Sequence, residues 1–228
     1  MKTKRLANTL SLIAALVACV GLSTTSYAAN VIVNGDFSTG VFTPWTQFTT
    51  ANGNVNASIT SFDVTGTGAS LAGTFVVGQQ TFVSGASEGG GISQFVNTGT
   101  GTGTFNMNIA ADNAFAADNA DGGTFSVLLD GVTETSFAVG QIGADSTVRS
   151  TLSFSAPVTA GSHEIEILIT RAFTPFGNLS DYVDNISFDA PSGVVSAVPL
   201  PAALPLFATG LVGLGLLGWR RKQKAIAA

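Results

Sequence analysis

Along most of this chain, apolar and polar residues alternate in short runs punctuated by Gly, Asn, Asp and Thr. The clearest run is His163 to Thr170, where Ile165, Ile167 and Ile169 interleave with Glu164, Glu166 and Leu168. A period of two places one face of a strand on a core and the other toward water. Phe125 to Leu129 leads into Asp130-Gly131, and Thr133 to Val139 returns, which predicts a hairpin. Val31-Ile32-Val33, Phe75 to Val77, Ile92 to Val96, Phe105 to Ala110, a short Thr151 to Phe154 and Tyr182 to Phe188 complete the series. Roughly ten strands without a helical period between them predict an all-β antiparallel sandwich over residues 29–190.

The two ends break this pattern. Lys2-Thr3-Lys4-Arg5 precedes an apolar stretch from Leu10 to Leu22, too short to span a bilayer, and Ser26-Tyr27-Ala28 supplies small residues for a signal peptidase. The expectation is a signal peptide over 1–28, read by the secretion translocon and cut between Ala28 and Ala29. Two other readings stay open: an uncleaved anchor, and lipidation at Cys19, where Leu16-Val17-Ala18-Cys19 resembles a lipobox. At the other end, Leu200 to Trp219 is twenty uncharged residues, about 30 Å as a helix. A linker over 191–197 precedes it, and a transmembrane helix is expected over 204–219. Trp219 suits the headgroup zone, and Arg220-Arg221-Lys222 acts as a membrane stop that stays cytoplasmic.

Charge sharpens the division. Between the ends lie only two cations, Arg149 and Arg171, against all fourteen carboxylates, a net of −12. Such a surface repels phosphate backbones, so nucleic acid is excluded as a partner. The single cysteine lies in the N-terminal apolar run, which leaves the central domain no disulfide and no thiolate chemistry. His163 is the sole histidine, and no G-x-S-x-G elbow marks a nucleophile, so no catalytic residue is assigned. Gly89-Gly90-Gly91 and the Gly99–Thr104 repeat lack a following Lys and read as flexible turns. Asp112-Asn113, Asp118-Asn119 and Asp121-Gly122 read as turns of an acidic loop.

The segment 198–224, with Val198-Pro199-Leu200-Pro201-Ala202, an apolar helix and a basic terminus, is similar to the PEP-CTERM sorting signal in its VPLPA form. The Glu of the commoner Pro-Glu-Pro version is Leu200 here. The resemblance implies an exosortase as partner, cleavage near the prolines and delivery to the cell surface or matrix; an ordinary permanent anchor is the other reading. Asn34-Gly35-Asp36-Phe37 with Pro44-Trp45, then Gly91-Ile92-Ser93-Gln94, Leu129-Asp130-Gly131 and Tyr182-Val183-Asp184-Asn185-Ile186, resemble landmarks of jelly-roll galactose-binding and carbohydrate-binding modules. That resemblance implies a structural Ca²⁺ where the first and last strands meet. Asp184 would be one ligand and Asp36 a substitute for the expected acid, which is Ser38 here. No other cofactor is implied.

Sugar sites place aromatic faces beside polar groups, which makes Trp45, Phe173 and Phe176 the candidate ligand contacts, the last two forming a lip beside Arg171. The sequence thus predicts a non-enzymatic exported protein associated with extracellular polysaccharide or biofilm. A lectin-like module with a defined glycan ligand is the alternative, and a hydrolase a third reading.

Overall fold

A computed structural model describes residues 28–175 and 177–192. The signal peptide up to Tyr27, Phe176, the sorting motif Val198, Pro199, Leu200, Pro201 and Ala202, and the stop at Trp219, Arg220, Arg221 and Lys222 lie outside the described residues. Eleven strands run through the described residues: β1 (Ala28–Asn30), β2 (Thr46–Thr49), β3 (Gly53–Phe62), β4 (Ser70–Gln79), β5 (Glu88–Thr98), β6 (Gly101–Asn113), β7 (Thr124–Leu129), β8 (Val132–Ala138), β9 (Ser146–Val158), β10 (Gly161–Arg171) and β11 (Leu179–Pro191). They form two antiparallel sheets, one ordered β3-β4-β11-β6-β9 with β1 added to β11, the other ordered β2-β5-β10-β7-β8. The all-β sandwich expected from the alternation is what the described residues form.

The inner rows make the core. Ile165, Ile167 and Ile169 of β10 lie beside Phe125 and Val127 of β7 and Ile92 of β5, all buried. They face Phe105, Met107 and Ile109 of β6 and Phe75 and Val77 of β4 across the interface, within one apolar cluster. In β11 the inward row changes parity. Leu179, Asp181 and Val183 point in, then Ile186, Phe188 and Ala190 do, because the register against β6 shifts between Asp184 and Ser187. Asn185 sits in that irregularity at φ 53°, and the Ile186 N–H donates to Gly35 O at 2.9 Å. This is where the opening and closing sequence landmarks meet. The two-residue turn at Asp130 (φ 52°) and Gly131 (φ 76°) closes β7 and β8 as the Asp-Gly pair predicts.

Several expectations need correction. Val31-Ile32-Val33 is not a strand; the first ladder is Ala28–Asn30, paired with Asp189–Pro191 of β11. The short Thr151–Phe154 segment belongs to β9, which is 13 residues long. The strands β2 and β3 were not anticipated, since Asn, Ser and Thr fill the outward positions of β3 and mute its alternation. Gly89-Gly90-Gly91 is no turn. It lies inside β5, where a Cβ would stand 2.0 Å from Ile169 O, 2.3 Å from Phe48 O and 1.8 Å from Ile167 O, respectively. The flanking strands approach too closely for any side chain there. Gly101 and Gly103 likewise sit in β6.

Gly91→Ala should therefore force β5 and β10 apart and destabilise the domain by about 3 kcal/mol or more. Urea melts of the variant beside wild type measure this, and an unchanged midpoint would show that the close approach is not required.

Candidate functional site

The loop from β10 to β11 and the loop from β4 to β5 bring two phenylalanines together. Phe173 and Phe82 lie parallel within 7°, their centroids 6.3 Å apart, and are 42% and 56% exposed. Val83, next to Phe82, is also exposed. One buried side chain sews both loops into place. Gln79 Nε2 donates to Val83 O (3.1 Å), Ala86 O (2.8 Å) and Ala172 O (2.8 Å), and its Oε1 accepts from the Val83 N–H. Its own N–H donates to Phe173 O at 2.8 Å. Three carbonyls around one amide nitrogen fix which way the amide faces. Gly78 permits the contact, since a Cβ there would lie 2.2 Å from Phe173 O. The sequence pointed to Phe173 but missed Phe82, which occupies an irregular loop with no periodicity to mark it. Phe176, the other half of the expected lip, is outside the described residues.

A buried polar knot sits at the root of the β10–β11 loop. Arg171 ends β10 on the inward row, and its Nε and Nη2 donate to Asp121 O at 3.0 and 2.8 Å, with Nη2 also reaching Asn119 Oδ1 at 3.2 Å. The Asp121 carboxylate accepts from Gly123 N at 2.9 Å and Ala172 N at 2.6 Å. Arg171 is thus an anchor for the loop rather than part of its lip. Asp181 of β11 points into the same end of the sandwich, 1% exposed, and neither of its oxygens nor Arg171 Nη1 has a hydrogen-bond partner within the described chain. Burial pushes the Asp181 carboxyl up to about 8, against the opposing pull of the Arg171 guanidinium.

Trp45 does not offer a stacking face, contrary to its candidacy as a ligand contact. It is 5% exposed, packs near Phe37 and donates from Nε1 to Asn34 O at 3.1 Å. An indole with its nitrogen satisfied and its ring covered is a core residue.

A polar cleft of about 390 Å³ does open where the first and last strands meet, lined by Asn30, Asn34, Asp36, Asn185 and Ser187 among others. Asp36 is exposed there and accepts from Ser38 N at 3.2 Å, a bond that helps hold its carboxyl below the usual range. Asp184 is buried, and both its oxygens are taken: Oδ2 by Ser70 Oγ at 2.6 Å, Oδ1 by Asn185 N at 2.7 Å. Among the described residues, no three His, Cys, Asp or Glu side chains gather as a metal site. A Ca²⁺ needs six to eight oxygens, so a site at this cleft would draw on Asp36 and on main-chain carbonyls, with Asp184 already holding Ser70 and Asn185. Of the acidic segment, Asp112-Asn113 is no turn but the end of β6, where Asp112 accepts from Thr147 Oγ1 of β9 at 2.6 Å. Asp118 accepts from Gln141 Nε2 and Ala144 N of another segment, and only Asp121, accepting from Gly123 N, bonds as a local turn does.

His163 is equally committed. Its Nδ1 meets Asp130 Oδ2 at 2.7 Å and its Nε2 meets Thr159 O at 3.0 Å. Two acceptors match the doubly protonated ring, and the bond to Asp130 first, then that to Thr159, raises its pKa. With the distal nitrogen on a main-chain carbonyl, this pair does not activate a nucleophile.

The outward face of the second sheet adds a surface the sequence reading passed over. Phe95 of β5 is 69% exposed and paired with Glu164 of β10; Ser93 pairs with Glu166, and Phe48 of β2 with Gly91. Burial and then repulsion from Glu164 raise the Glu166 carboxyl. Phe95 was legible in principle, since it falls between the inward Ile92 and Val96 on the opposite parity.

No protein-family model matches the chain, and no curated protein does. Among solved structures, the CBM22-1 xylan-binding domain from Paenibacillus barcinonensis is 11% identical, over 74% of this chain and 99% of that one, at a TM-score of 0.43. TmCBM61 in complex with β-1,4-galactotriose is 12% identical, over 70% and 97%, at 0.42. The enzymatically active domain of bacteriophage CBA120 tailspike protein 4 is 15% identical over 70% of this chain at 0.43, and this chain spans only 21% of its length. These are likenesses of architecture at low identity.

The knot makes one pH dependence measurable. Between about 3.8 and about 8, folded Asp181 keeps its proton while the unfolded chain has released it. The folded state then binds more protons, so this group makes stability fall as pH rises across that window. Asp181→Asn removes the titration, so the melting temperature of the variant relative to wild type should climb from pH 5 to pH 9. A difference independent of pH would show that Asp181 is not held neutral.

Proposed function

We propose that this chain is an exported, non-catalytic protein whose jelly-roll domain binds neutral polysaccharide at the cell surface or in the extracellular matrix. The observation that carries the reading is the Phe82–Phe173 pair, solvent-facing and locked from behind by Gln79. Sugar rings dock their C–H faces on aromatic rings, and a platform that is already rigid loses little entropy when it binds. Thr81 and Thr174 flank the two rings in sequence and are exposed. The net −12 of the central domain disfavours uronic-acid or sulfated polymers, which is why the ligand is put as neutral. The engagement of both His163 nitrogens supports the non-catalytic part of the reading.

Export rests on the sequence. The translocon and signal peptidase would process 1–28, and an exosortase would act at Val198-Pro199-Leu200-Pro201-Ala202 and remove the helix ahead of Arg220. Intact-mass analysis of the protein from the surface or culture fluid should find Ala29 at the N-terminus and no basic tail. An uncut chain recovered from the cytosol would overturn this route.

Binding is tested on the same mature protein by affinity electrophoresis in gels cast with neutral or anionic polysaccharides. Retardation should occur in a neutral gel, and Phe82→Ala and Phe173→Ala should each weaken it about fivefold, equivalent to ~1 kcal/mol. Phe95→Ala should leave it unchanged. Loss with Phe95→Ala alone would move the site to the face of the second sheet, and retardation by none of the gels would sink the carbohydrate reading.

A further inference from the structure

A sandwich has four sheet edges, and exposed edges invite pairing with another strand unless they are short, charged, bulged or interrupted by proline. Three of the edges here carry such devices. β2 has only four residues. β8 carries Glu134 and lies opposite a register shift at Val127/Leu128. β9 carries Arg149 and Pro157. β3 has none of them: ten residues, Gly53 to Phe62, with no charge, no proline and an unbroken register against β4. Among the described residues, no strand pairs with its outer side.

The main-chain groups on that side can be assigned. Gln80 N–H donates to Asn52 O at 2.7 Å, and alternation from that bond turns Asn54, Asn56, Ser58 and Thr60 toward β4. The N–H and C=O groups of Val55, Ala57 and Ile59 therefore face outward along the open edge. The side chains of those three residues are half-buried on the core, with one flank unfinished, while Asn56 and Ser58 stand exposed on the other face.

We propose that two copies of this chain join through their β3 edges, antiparallel about a two-fold axis at Ala57, so that the two β3-containing sheets become one. The register is self-complementary. Val55 of each copy lies opposite Ile59 of the other, which completes the apolar row, and Asn56 lies opposite Ser58, which pairs an amide with a hydroxyl. Each outward-facing residue exchanges two main-chain hydrogen bonds with its opposite number. Charge favours a second copy at this edge despite the acidic domain. Of fourteen carboxylates, only Asp63 lies between residues 37 and 87. Its segment also leads away from the edge, since Arg149 of β9, at the opposite margin of the sheet, donates to Asp63 O at 2.9 Å.

Analytical ultracentrifugation of the mature protein, from micromolar to near-millimolar concentration in physiological salt, tests this. A concentration-dependent dimer is expected. The double variant Asn56→Lys/Ser58→Lys changes only exposed side chains, should melt as wild type does, and should weaken dimerisation at least tenfold by setting Lys against Lys. Asn56→Glu/Ser58→Glu should do the same. An equal mixture of the two should recover the dimer, because Lys then faces Glu across the axis; a merely damaged fold would not be rescued by mixing. Monomer at every concentration, a dimer indifferent to both variants, or open-ended polymers that persist in them would each overturn the proposal.

Discussion

The fold turns on two consecutive strands. β10 lies at the centre of one sheet, between β5 and β7, and β11 at the centre of the other, between β4 and β6, while also receiving β1. Take these strands away and each sheet separates into pieces with no shared ladder. The main-chain donors and acceptors of β5, β7, β4 and β6 that face those strands would then need other partners. The sandwich is thus completed by residues 161–191, the last stretch of the domain to be synthesised. Most contacts in the chain are long-range, the kind of topology that folds slowly.

The same constraint builds the candidate site. Because β10 and β11 belong to different sheets, the seven residues between them must cross from one layer to the other at the end of the sandwich. The inward rows of both strands end there, which delivers Arg171 and Asp181 into the interior, where an apolar pair would have packed with less desolvation. What the arginine does in exchange is visible: it clasps the 119–121 segment, whose Asp121 holds Ala172 and so the root of the Phe173 loop. Gln79 then ties that root to the Phe82 loop. An exposed aromatic pair on two loops would ordinarily wander; here each loop is bonded to a buried, fully committed polar side chain.

How much of this was legible depended on whether a residue's neighbours in sequence were also its neighbours in space. His163–Thr170 read correctly because its two faces differ chemically along one strand, and Asp130-Gly131 because the turn is set by local φ values. β3 was missed because its outward row is amide and hydroxyl, which elsewhere marks loops. The glycines of β5 misled for a subtler reason. Three in a row signal freedom when read locally, but here they answer a close approach by β2 and β10, which only the folded sheet reveals. Trp45 and Phe173 show the limit for sites. Trp45 directly follows Pro44 and Phe173 stands two residues before Pro175, and nothing in their sequence surroundings says that one is covered by Phe37 and the other bare. Asp184 likewise looked available until Ser70, 114 positions away, proved to be its partner.

The position of β1 bears on the order of events under the proposed export route. Ala28 and Ala29, which flank the proposed cut, are the first two rungs of the β1–β11 ladder, opposite Pro191 and Ala190. A peptidase needs that segment extended and free, so it must act before β11 pairs with it. During translocation β11 emerges last, which keeps the bond accessible until the domain is nearly across. Cutting there leaves Ala29 and Asn30, and Asn30 is the residue that matters. Its Oδ1 accepts from Ile32 N at 3.0 Å and Phe188 N at 3.1 Å, bonding the mature N-terminal segment to the strand that closes the sheet. The proposed boundary thus removes one rung and keeps the side chain that secures the rest.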